Sequence, residues 1–139
     1  MNEGTFLPVI ISRLRKKITN LFARELQPFG ITPEQWALLV YLDRKPSCSQ
    51  MELAQALFKD RSNITRILDK LAKQGLINRQ DHPEDRRIYL VNLTKAGQEL
   101  LPNLRRVADK TQHLLTENLP EKELASILDI LAKIEKQLD

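Results

Sequence analysis

Apolar residues fall at alternating three- and four-residue steps in the first stretch of the chain: Leu7, Ile11, Leu14, Ile18, Phe22 and Leu26. That spacing predicts one long helix with a single apolar stripe, ending near Pro28-Phe29-Gly30. Thr32, Pro33 and Gln35 form a helix-start signature, and Trp36, Leu39, Val40 and Leu42 are read as the buried side of the helix it opens. Ser49-Gln50-Met51-Glu52 matches a second capping box and starts a short helix through Leu53, Ala54 and Leu57. A tight turn at Phe58 and Lys59 leads to Asp60, the expected cap of the next helix, which reaches about Gln74 with Ile64, Ile67, Leu68 and Leu71 facing inward. Gly75 supplies its left-handed terminus.

The period then changes. Residues 76–79 and 88–93 read as two short strands around the polar turn Asp81-His82-Pro83-Glu84-Asp85. Thr94 caps a further helix striped by Leu100, Leu101, Leu104, Val107, Ala108 and Leu115, where Pro102 should kink the helix or delay its start. After Asn118-Leu119-Pro120 a last helix carries Leu124, Ile127, Leu128, Leu131, Ile134 and Leu138. The expected fold is mostly α, with six helices and a small β-hairpin, in one domain over residues 1–139. Two short helices joined by a tight turn (about 49–74) and followed by a hairpin (about 76–93) are a helix-turn-helix with a wing. One small domain would struggle to bury the stripes of residues 5–28 and 95–139 alone, which favours a homodimer through these helices over a purely intramolecular core.

Charge sharpens the picture. Residues 59–95 hold nine basic and five acidic side chains, so this segment carries the whole net charge of +4, and the rest of the chain is balanced. A localised positive field of this kind suits a phosphate-binding surface. In a helix-turn-helix the second helix enters the major groove. Its polar face here offers Arg66 for guanine, Asn63 for adenine, and Ser62 or Thr65 for base or backbone. Lys59, Arg61, Lys70 and Lys73 are placed to neutralise phosphates.

Ser49-Gln50-Met51-Glu52-Leu53-Ala54, residues 64–71 from Ile64 to Leu71, and Gly75-Leu76-Ile77-Asn78-Arg79 resemble the helix-turn-helix core of the MarR family. Asp85-Arg86-Arg87, with Leu93-Thr94 and then Gly97, is similar to that family's wing signature, and the resemblance spans nearly the whole chain. It implies a dimeric transcription regulator, most simply a repressor on a pseudo-palindromic stretch of double-stranded DNA. It also implies a wing-tip arginine in the minor groove, Arg87 by position, oriented by Asp85, with Arg86 able to share or replace it. A small anionic or phenolic effector between the dimer helices and the DNA-binding lobe would fit the family, with Trp36 and Arg15 or Lys16 as lining residues. The alternatives are a protein-interaction module without its own operator and a thiol redox sensor acting through Cys48.

Cys48 is the only cysteine, which excludes an internal disulfide and fits a reducing cytoplasm. It precedes the second capping box at a position suited to a small buried residue. His82 and His113 lie far apart and make no metal-ligand spacing, so no metal or cofactor is expected. No nucleophile triad or Gly-rich phosphate loop appears, and the expectation is a non-enzyme. The N-terminus lacks a signal-peptide pattern and no apolar run is long enough for a membrane span, so the expected location is cytoplasmic, without a membrane partner.

Overall fold

The computed structural model describes residues 2–139. Its helices are α1 (Leu7–Leu26), α2 (Pro33–Arg44), α3 (Gln50–Ala56), α4 (Arg61–Lys73), α5 (Lys95–Thr116) and α6 (Glu121–Gln137), with strands β1 (Cys48–Ser49), β2 (Ile77–Asp81) and β3 (Tyr89–Leu93). Local chemistry sets the helix starts. Thr32 and Gln35 close a reciprocal capping box at α2, and Ser49, Asp60 and Thr94 each accept a backbone N–H from the first turn of α3, α4 and α5. At the far end of α4, Gly75 takes φ +75°, as expected for a left-handed stop.

The core lies between α2, α3, α4 and the sheet and extends along the N-terminal half of α5. Ile64, Ile67, Leu68 and Leu71 of α4 are buried there with Leu53, Val91, Leu101 and Leu104. In α2 the buried side differs from the expected one. Gln35, Leu38, Leu39 and Leu42 are buried, whereas Trp36 and Val40 are only half-buried. The reason is that α2 is enclosed by α1, α4, α5 and β3, so more than one stripe of it meets protein. Gln35 tolerates burial because both ends of its amide are satisfied. Its Oε1 accepts the Thr32 N–H at 3.0 Å and its Nε2 donates to Gln74 Oε1 at 3.0 Å. Gln74 in turn donates to the Gly30 carbonyl at 2.8 Å, which ties the end of α4 to the turn after α1.

The sheet has three strands where the sequence pattern predicts two. β1 pairs antiparallel with β3 through Cys48↔Val91 and Ser49↔Leu90, and β2 pairs with the other edge of β3, from Ile77↔Leu93 to Asp81↔Tyr89. A two-residue strand has no period to read, and its partner lies more than 40 residues away. Pro102 neither delays nor interrupts α5, which is regular from Lys95. The proline is exposed, so the carbonyl it leaves without an N–H partner is on the solvent side.

The terminal helices are only partly covered. Leu7, Ile11, Leu14 and Ile18 of the α1 stripe are exposed, while Leu26 is buried against the core. No residue of α6 is buried, and Ile127, Leu128, Ile130 and Leu131 are open to solvent.

Candidate nucleic-acid interface

The start of α4 is tied down by a short polar chain. Asp60 Oδ1 accepts the Asn63 N–H at 2.8 Å, Asp60 Oδ2 accepts from Asn63 Nδ2 at 3.2 Å, and Arg66 Nη2 donates to Asn63 Oδ1. Asn63 and Arg66, both singled out for base contact, therefore act as one preset pair. Thr65 donates to the Arg61 carbonyl and accepts from Gln50 Nε2, which fixes α3 against α4. Ser62 is exposed beside them. Among the described residues Arg61, Arg66, Lys70, Lys73 and Arg86 enter no ion pair, leaving their charge available to a polyanion. Lys59 stands apart from them. Its Nζ lies 3.5 Å from Glu34, so it joins the turn to α2 as well as adding to the positive face.

One contact escaped the sequence pattern. Arg79 of β2 binds Asp69 Oδ1 in α4, anchoring the wing to that helix. An acid on an otherwise basic polar face, followed by an arginine early in the next strand, is the only sequence signal for it.

Between β2 and β3 the hairpin tip closes through His82 N–H to the Ile88 carbonyl at 3.0 Å and Ile88 N–H to the Asp85 carbonyl at 3.1 Å. Asp85 accepts three bonds from Arg87: backbone N–H at 3.0 Å, Nε at 3.1 Å and Nη2 at 3.1 Å. The Arg87 side-chain bonds, and then its backbone N–H, hold the Asp85 carboxyl below its ordinary range, and the same pairing raises Arg87. Arg87 is thus oriented by Asp85 while its side chain stays 90% exposed. The Arg86 side chain is also exposed but has no such partner. His82 is occupied locally, its Nδ1 accepting the Glu84 N–H at 3.1 Å.

Trp36, Arg15 and Lys16, expected to line an effector pocket, have separate surroundings within one chain. Trp36 packs edge-on against Phe22, with ring centroids 5.1 Å apart, and donates to the Leu104 carbonyl at 3.3 Å. Arg15 and Lys16 are exposed on α1. A surface cleft of about 460 Å³ does form, but between the start of α2 and α4, where Thr32, Gln35, Arg66 and Lys73 line it.

Cys48 is buried on β1, and its Sγ contacts the Lys45 carbonyl at 2.9 Å. Burial, with a smaller contribution from Glu52, pushes the thiol above its ordinary range, against an opposing pull from Lys45. The thiol therefore stays protonated and shielded at neutral pH. A thiol-reactive reagent at pH 7 should leave Cys48 unmodified in the native protein and label it fully in denaturant; rapid native labelling would contradict this environment.

A capped, polar-faced helix after a tight turn, braced by a hairpin with an outward arginine, defines a winged-helix DNA-binding protein. The sequence profile of the MarR family matches residues 29–88, the segment from the turn before α2 to the wing tip. A probable transcriptional regulator from Pseudomonas aeruginosa is similar over 96% of this chain and 99% of its own, at 28% identity and a TM-score of 0.89. A MarR mutant from E. coli, complexed with operator DNA, is 29% identical, covers 96% of both chains and gives 0.88. The transcriptional repressor CouR, bound to a 23-mer DNA duplex, is 29% identical over 97% of this chain and 98% of its own, with a TM-score of 0.89. Residues 29–88 thus carry the MarR-family pattern, and nearly the whole chain shares the fold of these transcription regulators.

Proposed function

We propose that the protein is a homodimeric repressor that occupies a pseudo-palindromic operator and releases it when a small anionic or phenolic effector binds. The observation that carries the reading is the pairing of a preset, unshielded polar face on α4 with a wing arginine clamped by Asp85. Operator and duplex DNA bound to the two similar regulators support the choice of double-stranded DNA as partner. One unit, residues 1–139, would divide its labour between a helix-turn-helix (49–74), a wing (76–93) and dimerising helices (5–28 and 95–139).

In this mechanism α4 lies in the major groove. Arg66 and Asn63 exchange their mutual bond for guanine and adenine edges, and Ser62 and Thr65 contact base or backbone. Arg61, Lys70 and Lys73, helped by Lys59, neutralise phosphates and set register without reading sequence. Arg87 enters a narrowed minor groove, where the negative potential is enhanced, and Arg86 contacts the flanking backbone. Binding at a promoter excludes other proteins from it. An effector that altered the spacing of the two α4 helices would cost contacts in both half-sites, each worth roughly 1–3 kcal/mol. The protein works in the cytoplasm, where such DNA lies.

The test is selection of genomic fragments with purified protein, followed by binding of the enriched sequence at several salt concentrations. Recovery of an inverted repeat bound with steep salt dependence supports the reading. Weak binding that ignores sequence would favour a protein-interaction module instead. Within the interface, Arg66→Ala should lower affinity for the selected site about tenfold or more and relax its sequence preference. Lys73→Ala should weaken binding to all sequences alike and reduce the salt slope by about one. Identical behaviour of the two variants would overturn this division.

A further inference from the structure

Most exposed large apolar side chains lie on α1, the end of α5 and α6, where a second copy would cover them. Phe58 does not. It is 90% exposed, more than any other large apolar residue described, and it sits in the turn between α3 and α4. Its backbone is held at φ +54°, a left-handed conformation that bulky L-residues rarely adopt.

The same chain supplies the comparison. At the end of α4, Gly75 N–H bonds to the Ala72 carbonyl and Leu76 N–H to the Leu71 carbonyl, both at 3.0 Å, with glycine at the left-handed position. At the end of α3 the identical motif recurs: Phe58 N–H bonds to Gln55 at 3.4 Å and Lys59 N–H to Ala54 at 2.9 Å. Here phenylalanine occupies the glycine position. Folding gains nothing from the ring, which buries almost no surface, and the turn would close with less strain around glycine. Both penalties, strain and an exposed ring, fall two residues before the Asp60 cap of the recognition helix.

We infer that Phe58 is a specificity-determining DNA contact, its ring covering the 5-methyl group of a thymine at the edge of each half-site in the major groove. This deepens the regulator reading and rests on it. If the first turn of α4 enters the groove, the preceding turn lies at the groove's edge. A phenyl ring has no donor for phosphate, and the apolar feature that the major groove presents to it is the thymine methyl. Lys59 and Arg61, on either side of the cap, hold the flanking backbone close.

The experiment uses the full-length protein and its selected operator duplex, with thymines replaced by uracil one symmetric pair at a time. For the wild type, one replaced pair should weaken binding about fourfold per half-site, or about fifteenfold for the duplex, the loss expected for exposing one methyl group. Phe58→Gly should be insensitive to that same replacement and should melt about 3 °C higher because strain is relieved. Phe58→Leu should keep part of the uracil sensitivity. A Phe58→Gly variant that binds like wild type overturns the proposal. So does one that binds weakly while the uracil scan of the wild type is flat, which would place the ring on sugar instead. Failure of the wild type to select any DNA would overturn the regulator reading itself, and is distinguishable because it precedes every variant.

Discussion

Gly97→Ala is expected to destabilise the protein by about 3 kcal/mol and to loosen the wing from the helix that follows it. A Cβ at Gly97 would lie 2.3 Å from the Leu76 carbonyl oxygen, 3.2 Å from its carbon and 3.3 Å from Leu93 Cδ2. The first of these is backbone and cannot swing aside as a side chain can. That same carbonyl accepts the Thr94 N–H at 3.1 Å, while Thr94 Oγ1 donates to the Gly75 carbonyl and accepts the Gly97 N–H. Three elements therefore converge on one point: the stop of α4, the end of β3 and the first turn of α5. Making room requires α5 to move away from β2, which strains the junction at a cost near the upper end of overpacking penalties. Urea unfolding should show a lower midpoint, and amide exchange should show faster exchange in β2 and β3. Ala96→Gly, at the exposed neighbouring position, should cost no more than about 1 kcal/mol and leave the wing protected. Equal losses from both substitutions would mean that helix propensity, not the close approach, decides the outcome.

The two kinds of information in the sequence account for what was legible. Helix starts and stops depend on residues within one turn, so Thr32, Ser49, Asp60, Thr94 and Gly75 could be read directly and all occupy those roles. The inward face of α4 was equally clear, because one side of it meets the core and the other meets solvent. α2 was read less well. Protein surrounds more of it, and a buried glutamine breaks the apolar pattern while satisfying its own hydrogen bonds. Contacts between distant residues left little trace: β1 with β3, Arg79 with Asp69, Lys59 with Glu34. The wing illustrates both cases. The sequence left Arg86 and Arg87 as alternatives, and the geometry puts Asp85 on Arg87. Phe58 was read as a turn residue, but its positive φ was hidden, since phenylalanine carries no signal for that conformation.

The second large effect concerns the open faces of the terminal helices, and it should appear as coupled loss of dimer and DNA binding. α6 is 17 residues long and buries none of them within one chain. An isolated helix of that length is marginal in water, and its apolar stripe would be exposed at a cost with nothing to offset it. A second copy would resolve both problems, and the exposed Leu7, Ile11, Leu14 and Ile18 of α1 lie on the other helix proposed for the same face. Leu131→Glu would place a charge in the middle of that contact, where burial without a partner is prohibitive. The variant should sediment as a monomer at micromolar concentration. It should also bind the selected inverted repeat at least a hundredfold more weakly, because two tethered half-site contacts become two independent ones. Its affinity for a single half-site should change little, since α6 does not pack closely against α4 or the wing strands. Leu131→Met, which keeps the apolar volume, should remain dimeric and bind normally. A monomeric Leu131→Glu protein with undiminished operator affinity would show that each chain reads its DNA alone, and the inverted repeat would then need another explanation.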